Sequence, residues 1–269
     1  MPIKKDGTGK RWVEMELLVP GTPEEVWRAL ATGPGTSAWF IKTEIEERVG
    51  GAVRFHFAPD LVQQGEVTAW ERPHRFAYVE RDWAEGAPPV ATEITIKGRS
   101  GGQCVVRMVH SLFSSTDDWD GQMEGFESGW PGFFDVLRVY LAHFAGQPAA
   151  TFHAMADAPG KDIEVWTRLL EPLGLAGANV GEHRTATSAP ERLSGLVDRV
   201  NQDAKQRYLV LRVEEPAPGV ALIGMYRKDQ GAAVSVLRFF YGESAGDRAA
   251  EAEPRWRSWL EQTFAGIKA

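Results

Sequence analysis

Between residues 53 and 112, apolar side chains return at every second position in one short segment after another. Extended strands with one dry and one wet face satisfy that period, and helices do not. Val53, Phe55 and Phe57 share one side while Arg54 and His56 take the other. Phe76 with Tyr78, Ile94 with Ile96, and then Cys104, Val106, Met108, His110 and Leu112 repeat the pattern, leaving Glu93, Thr95, Lys97, Arg107 and Ser111 toward water. An antiparallel meander packed on one face reads this way, whereas a parallel sheet buried on both faces gives unbroken apolar runs.

The dry face needs a cover. Phe126, Trp130, Phe133, Leu137, Tyr140 and Phe144 alternate at spacings of four and three, the stripe of a helix. Asp117 and Asp118 are expected to cap its start. Pro131 is expected to kink or restart it, giving a short lead-in turn before the long helix. Ahead of the meander, Arg11 to Val19 reads as a strand. Pro20-Gly21-Thr22-Pro23-Glu24-Glu25 holds a Thr N-cap, a first-turn proline and two acids, so a helix starts there with Val26, Trp27 and Leu30 buried. Gly33-Pro34-Gly35 is expected to stop it, with Thr36 to Phe40 as one further helical turn. Residues 1–10, rich in Lys and Gly, are expected to be flexible.

A similar plan recurs downstream. Pro159-Gly160, Glu164, Val165, Trp166 and Leu169 match Pro20-Gly21, Glu25, Val26, Trp27 and Leu30 at an offset of 139. Gly195-Leu196-Val197 matches Gly65-Glu66-Val67 at 130, and Phe264-Ala265-Gly266 matches Phe144-Ala145-Gly146 at 120. A steadily shrinking offset fits a duplicated module with shortened loops. Leu193, Leu196, Val197 and Val200 also fit a helical stripe, but the repeat assigns them to a strand. Tyr208 to Val213, Val220 to Tyr226 and Val234 to Tyr241 read as strands, and Trp256, Trp259, Leu260 and Phe264 as a closing helix. The expected organisation is a flexible terminus at 1–10, a first domain at 11–148 and a smaller second copy at 149–269.

Charge and composition remove several classes of function. Thirty Lys plus Arg against thirty-seven Asp plus Glu give a net charge of −7, which disfavours nucleic acid and anionic lipid as partners. No stretch approaches the length of a membrane span and the first residues lack a leader's apolar core, so a cytoplasmic address is expected. Cys104 is the single cysteine and the six histidines are dispersed, so neither a disulfide framework nor a metal site is indicated, and no cofactor is expected. Gly98-Arg99-Ser100-Gly101-Gly102 has the spacing of a nucleophile elbow, yet strands on both sides make it a hairpin turn. Gly7-Thr8-Gly9-Lys10 lacks the first glycine and the hydroxyl residue of a phosphate loop.

The ordered string Val19-Pro20-Gly21-Thr22-Pro23-Glu24-Glu25-Val26-Trp27-Arg28-Ala29-Leu30, Trp39-Phe40, Gly50-Gly51-Ala52-Val53, Gly65-Glu66-Val67, His110-Ser111-Leu112-Phe113 and Gly129-Trp130 resembles the SRPBCC superfamily. The likeness is to its activator-of-Hsp90-ATPase homologue type and covers about residues 11 to 146. The resemblance implies an α+β helix-grip fold of the START or Bet v 1 kind, with a curved antiparallel sheet around a long C-terminal helix; the shorter second copy read from the repeat resembles the family only loosely. Members of the superfamily include lipid and hormone binders, polyketide cyclases and chaperone stimulators. The eukaryotic chaperone activator has an additional N-terminal domain for which this sequence shows no counterpart.

By strand phase, Phe55, Phe57, Phe76, Tyr78, Ile94, Met108 and His110 are expected to face Trp130, Phe133, Phe134 and Leu137 across a tapering gap that admits an apolar small molecule such as a lipid, polyketide or aromatic metabolite. The plain alternative is that these side chains fill one another's space. His110 combines polarity with a dry face, and Glu80 lies in phase with Tyr78. An acid/base site of the cyclase or dehydratase sort built from His110, Tyr78 and Glu80 is therefore the enzymatic alternative to a binder. A protein partner of the chaperone kind, and a choice between monomer and homodimer, stay open.

Overall fold

The computed structural model describes residues 3–58, 61–114, 116–186, 190–203, 206–228 and 231–264. Two compact units divide the chain, Met1–Gly146 and Gln147–Ala269.

The first unit runs β1 (Lys4–Lys5), β2 (Lys10–Pro20), α1 (Pro23–Ala31), α2 (Gly33–Ser37), β3 (Thr43–Ile45), β4 (Ala52–Ala58), β5 (Leu61–Glu71), β6 (Arg75–Glu80), β7 (Val90–Arg99), β8 (Gln103–Phe113) and α3 (Asp120–His143). Its eight strands pair antiparallel in the order β1-β2-β8-β7-β6-β5-β4-β3, so the first long strand lies beside the last. This is a helix-grip α+β fold, one sheet gripping one long helix, with α3 running against β2. The period-two phases assigned above hold: Val53, Tyr78, Ile94, Ile96, Val106, Met108 and Leu112 are buried.

Local chemistry explains the helix starts. Thr22 and Glu25 form a reciprocal capping box, with Glu25 N–H donating to Thr22 Oγ1 at 3.3 Å and Thr22 N–H to Glu25 Oε2 at 2.7 Å. The next helix begins earlier than expected: Gly33-Pro34-Gly35 is its first turn, not a stop. Thr32 caps it by accepting from Gly35 N–H at 3.1 Å, and Pro34 is harmless in a first turn. Gly35 is required there, since a Cβ would lie 1.8 Å from the Arg28 carbonyl oxygen. Trp39 and Phe40 therefore follow the helix in a turn.

Three further expectations are corrected. Lys4–Lys5 is not frayed but pairs with Trp12 and Arg11, across a turn in which Asp6 Oδ1 accepts from the backbone of Thr8 and Lys10. Asp117 and Asp118 do not cap α3. Asp117 and Asp120 instead hold the buried Arg11 guanidinium at 2.5 and 2.6 Å, while Asp118 accepts from Thr116. Finally, α3 continues through Pro131 as one helix of 24 residues. Pro131 sits on the exposed side, where water can serve the carbonyl left without its donor. The side chain of Phe126 lies outside the described residues.

The second unit runs β9 (Ala149–Ala158), α4 (Asp162–Leu170), β10 (His183–Ala186), β11 (Leu193–Gln202), β12 (Gln206–Glu215), β13 (Gly219–Arg227), β14 (Ala232–Tyr241) and α5 (Ala245–Phe264). Its six strands are antiparallel in the order β10-β11-β12-β13-β14-β9, again with first beside last. Leu193–Gln202 is a strand, as the repeat requires. Ala265 and Gly266 of the third repeat match lie outside the described residues. Trp256, Leu260 and Phe264 of α5 pack with Val165, Trp166 and Leu169 of α4 and Val234, Val236 and Phe240 of β14. Among the described residues no helix is long and apolar enough to cross a membrane.

Candidate functional site: an aromatic hollow in the first unit

Between the sheet and α3 lies a hollow of about 270 Å³, lined by Phe40, Phe55, Phe57, Gln63, Tyr78, Glu80, Trp83, Val90, His110, Gly125, Gly129, Trp130 and Phe133. Each residue arrives there for a traceable reason. Phe55 and Phe57 come from the dry phase of β4, Tyr78 and Glu80 from that of β6, and His110 from that of β8. Gly125, Gly129 and Phe133 stand four apart on one face of α3. Nothing lies within 4 Å of where a Cβ on Gly125 or Gly129 would be. At these two positions the helix presents bare backbone to the hollow.

Phe40 is the hub of the ring system. Its ring stacks on Trp130 at 4.9 Å, meets Phe133 edge-on at 4.6 Å, and approaches Phe55 and Phe57 at 6.1 and 6.2 Å. Trp39, beside it, is anchored by its indole N–H donating to the Ala29 carbonyl at 2.8 Å. The early start of α2 carries this pair into place.

The polar groups are arranged unequally. Trp130 Nε1–H donates to His110 Nε2 at 2.8 Å, and His110 Nδ1 is 2.8 Å from Thr92 Oγ1. An indole N–H only donates, so Nε2 carries no proton and the neutral ring must hold its hydrogen on Nδ1, directed at Thr92. Burial lowers the imidazole pKa to about 4, in keeping with a neutral ring. Thr92 also hydrogen-bonds Tyr78, whose phenol is pushed above its usual value by burial first and by the nearby Glu80 charge second. Tyr78, Thr92, His110 and Trp130 therefore form one connected chain.

Glu80 stands apart from that chain. Desolvation raises its carboxyl to about 7, and among the described residues no neighbouring cation offsets the rise. Its backbone pairs with Gly65, where a Cβ would come within 3.3 Å of Glu80 Cγ and 3.4 Å of Tyr78 Cδ2. Glycine at 65 lets both side chains settle against β5.

The sequence-derived lining is thus redistributed. Phe55, Phe57, Tyr78, His110, Trp130 and Phe133 border the hollow, with Phe57 at 37% exposure near the mouth. Phe76, Ile94 and Met108 lie deeper, around a gap of only about 20 Å³. Phe134 and Leu137 are packed into the core, Phe134 stacked on Trp130 at 5.4 Å and Leu137 fully buried. Phase reports which face a residue takes and not how far along the face the space opens. Sequence reasoning missed Phe40, Gln63, Trp83, Val90, Gly125 and Gly129 as lining, and gave Glu80 only a secondary place. The spacing of Gly125, Gly129 and Phe133 was the available signal.

Among the described residues no group of three or more His, Cys, Asp or Glu is placed to hold a metal ion. In the second unit, the equivalent strand position is filled. Val19, just before Pro20-Gly21, pairs with Cys104, and six residues on is His110. Ala158, just before Pro159-Gly160, pairs with Ala232, and six residues on is Arg238. Arg238 is fully buried, ion-paired with Glu191 and flanked by the rings of Phe240 and Trp256 at 4.8 and 5.6 Å. Trp256 Nε1–H donates to the same Glu191 oxygen at 2.8 Å.

Residues 20–142 match the model of the family described as activator of Hsp90 ATPase homolog 1-like protein (AHSA1). Similar solved structures include MLL2253 from Mesorhizobium loti (25% identity, covering 50% of this chain and 98% of that one, TM-score 0.46) and CalU16 from Micromonospora echinospora (19%, 53% and 83%, 0.42). DynU16, encoded in the dynemicin biosynthetic locus, is similar over 94% of this chain and 96% of its own, at 18% identity and a TM-score of 0.42. The search of curated proteins found no match. By the family match and by its sheet gripping α3, the segment 20–142 is an SRPBCC-type, AHSA1-like domain.

Proposed function

We propose that the first unit binds an apolar small molecule, rich in rings or hydrocarbon, in the hollow under α3. The observation that carries this reading is the hollow itself: about 270 Å³ lined by seven aromatic side chains, with bare glycine backbone on the helix side. It falls just short of the usual range for small-ligand sites and has their composition, mostly apolar with a few polar groups. A core built only for stability closes such space, because an unfilled volume forfeits packing energy.

The acid/base alternative has less support. His110 already engages Trp130 and Thr92, and Tyr78 engages Thr92, so two of its three groups are committed to each other through the chain. A chaperone-linked role is the other function the family name suggests, and stimulation of a bacterial Hsp90 ATPase by the purified chain is its direct assay.

Ligand binding is tested by titrating the full chain with the neutral fluorophore N-phenyl-1-naphthylamine and by extracting the purified protein with organic solvent for mass spectrometry. Saturable fluorescence that weakens in Phe133→Ala and Phe40→Ala supports the reading. Absence of both saturable signal and extractable compound refutes it.

A further inference from the structure

The hollow has an electrostatic character that apolarity alone does not describe. Among the described residues its lining includes one carboxylate, Glu80, and no Lys or Arg. Phe40, Phe55, Trp130 and Phe133 share the lining with that carboxylate, and an apolar, ring-rich wall beside one carboxylate is the chemistry that holds an organic ammonium. Resting on the binding reading above, we infer that the hollow selects amines: a ring-bearing or aliphatic molecule whose cationic nitrogen meets Glu80 while its apolar body lies against Phe40 and Trp130.

The surroundings of Glu80 support the choice of a cation over a neutral hydroxyl. Tyr78 and His110 are the other titratable lining groups, and both are neutral near pH 7. Among the described lining residues, β5 presents Gln63 and α3 presents Gly125 and Gly129, all without charge. Arg81, next in sequence, turns to Glu66 at 3.8 Å. The apolar walls therefore penalise the Glu80 anion, and an ammonium beside it offsets that penalty. Linkage makes the preference strengthen as the carboxyl ionises.

The test compares three probes of one shape, 2-naphthylmethylamine, 2-naphthylmethanol and 2-naphthoic acid, by calorimetry on the full chain and on Glu80→Gln. At pH 8 the wild-type chain should bind the amine about tenfold more tightly than the alcohol, the fold-change of one charge-assisted contact, with the acid weakest. Glu80→Gln should bring amine and alcohol to similar affinity. In the wild-type chain alone, amine affinity should rise from pH 6 to pH 8 while alcohol affinity stays level, a readout independent of how the variant folds. Alcohol binding equal to amine binding, or an amine preference that survives Glu80→Gln, overturns the inference and leaves the apolar reading intact. Failure of all three probes overturns both.

Discussion

Trp130 Nε1 and His110 Nε2 are joined by a 2.8 Å hydrogen bond that ties the long helix α3 to strand β8 at the edge of the hollow. The bond fixes the imidazole as its Nδ1–H tautomer, and that N–H donates to Thr92 Oγ1 at 2.8 Å. Trp130→Phe keeps the ring and removes the donor. It should cost about 1–2 kcal/mol, the usual penalty for a buried acceptor left unsatisfied. Nitrogen-15 shifts of His110 should show the Nδ1–H tautomer in the wild-type chain, and denaturant unfolding should show the stability loss.

The same imidazole sets a pH dependence. Its folded pKa of about 4 lies below the ordinary imidazole value of about 6.5, so the unfolded chain takes up the proton first. Its contribution is complete above pH 6.5 and is lost as pH falls from 6.5 toward 4. NMR titration of His110 should find the ring neutral at pH 5.

Glu80 works in the opposite direction. Its folded pKa of about 7 lies above the ordinary glutamate value of about 4.5, so the native state holds a proton that the unfolded chain releases. Stability is therefore lost as pH rises from 4.5 to 7. Glu80→Gln should stabilise the chain at pH 8 by on the order of 1–3 kcal/mol and make no difference at pH 4. Paired melting curves at the two pH values check this.

In the second unit, Glu191→Gln leaves Arg238 buried without its counter-charge. Breaking a buried pair from one side costs about 3–5 kcal/mol, so the variant should unfold at distinctly lower denaturant. A loss confined to the scale of a surface ion pair would show that the guanidinium finds another partner.

Much of this fold was legible from periodicity. Strand phases placed Phe55, Tyr78 and His110 on the dry face, and the Thr22–Glu25 capping box announced α1. Leu193 to Val200 fit a helical stripe as well as the strand that the repeat pattern predicts, and the segment is a strand. Local signals failed where tertiary partners decide. Gly33-Pro34-Gly35 reads as a breaker until Thr32 is seen to cap it. Pro131 reads as a break until its exposed position is known. Asp117 looks like a helix cap because the buried Arg11 that claims it is 106 residues away.

The site was less legible than the fold. Phase could not separate Phe133, which borders the space, from Phe134 and Leu137, which fill the core beside it. Phe40 enters from a turn, where no period applies. Glu80 looks like a solvated strand end, and only the surrounding rings make it a group short of solvent.

The hollow is tested most directly by filling it. Gly129→Leu places an isobutyl group where no atom lies within 4 Å of the new Cβ, and it exchanges a poor helix former for a good one. N-phenyl-1-naphthylamine affinity should fall at least about tenfold, a loss of ~1.4 kcal/mol, while the melting temperature holds or rises. Undiminished affinity in a folded Gly129→Leu chain would contradict the assignment of this space as the binding site.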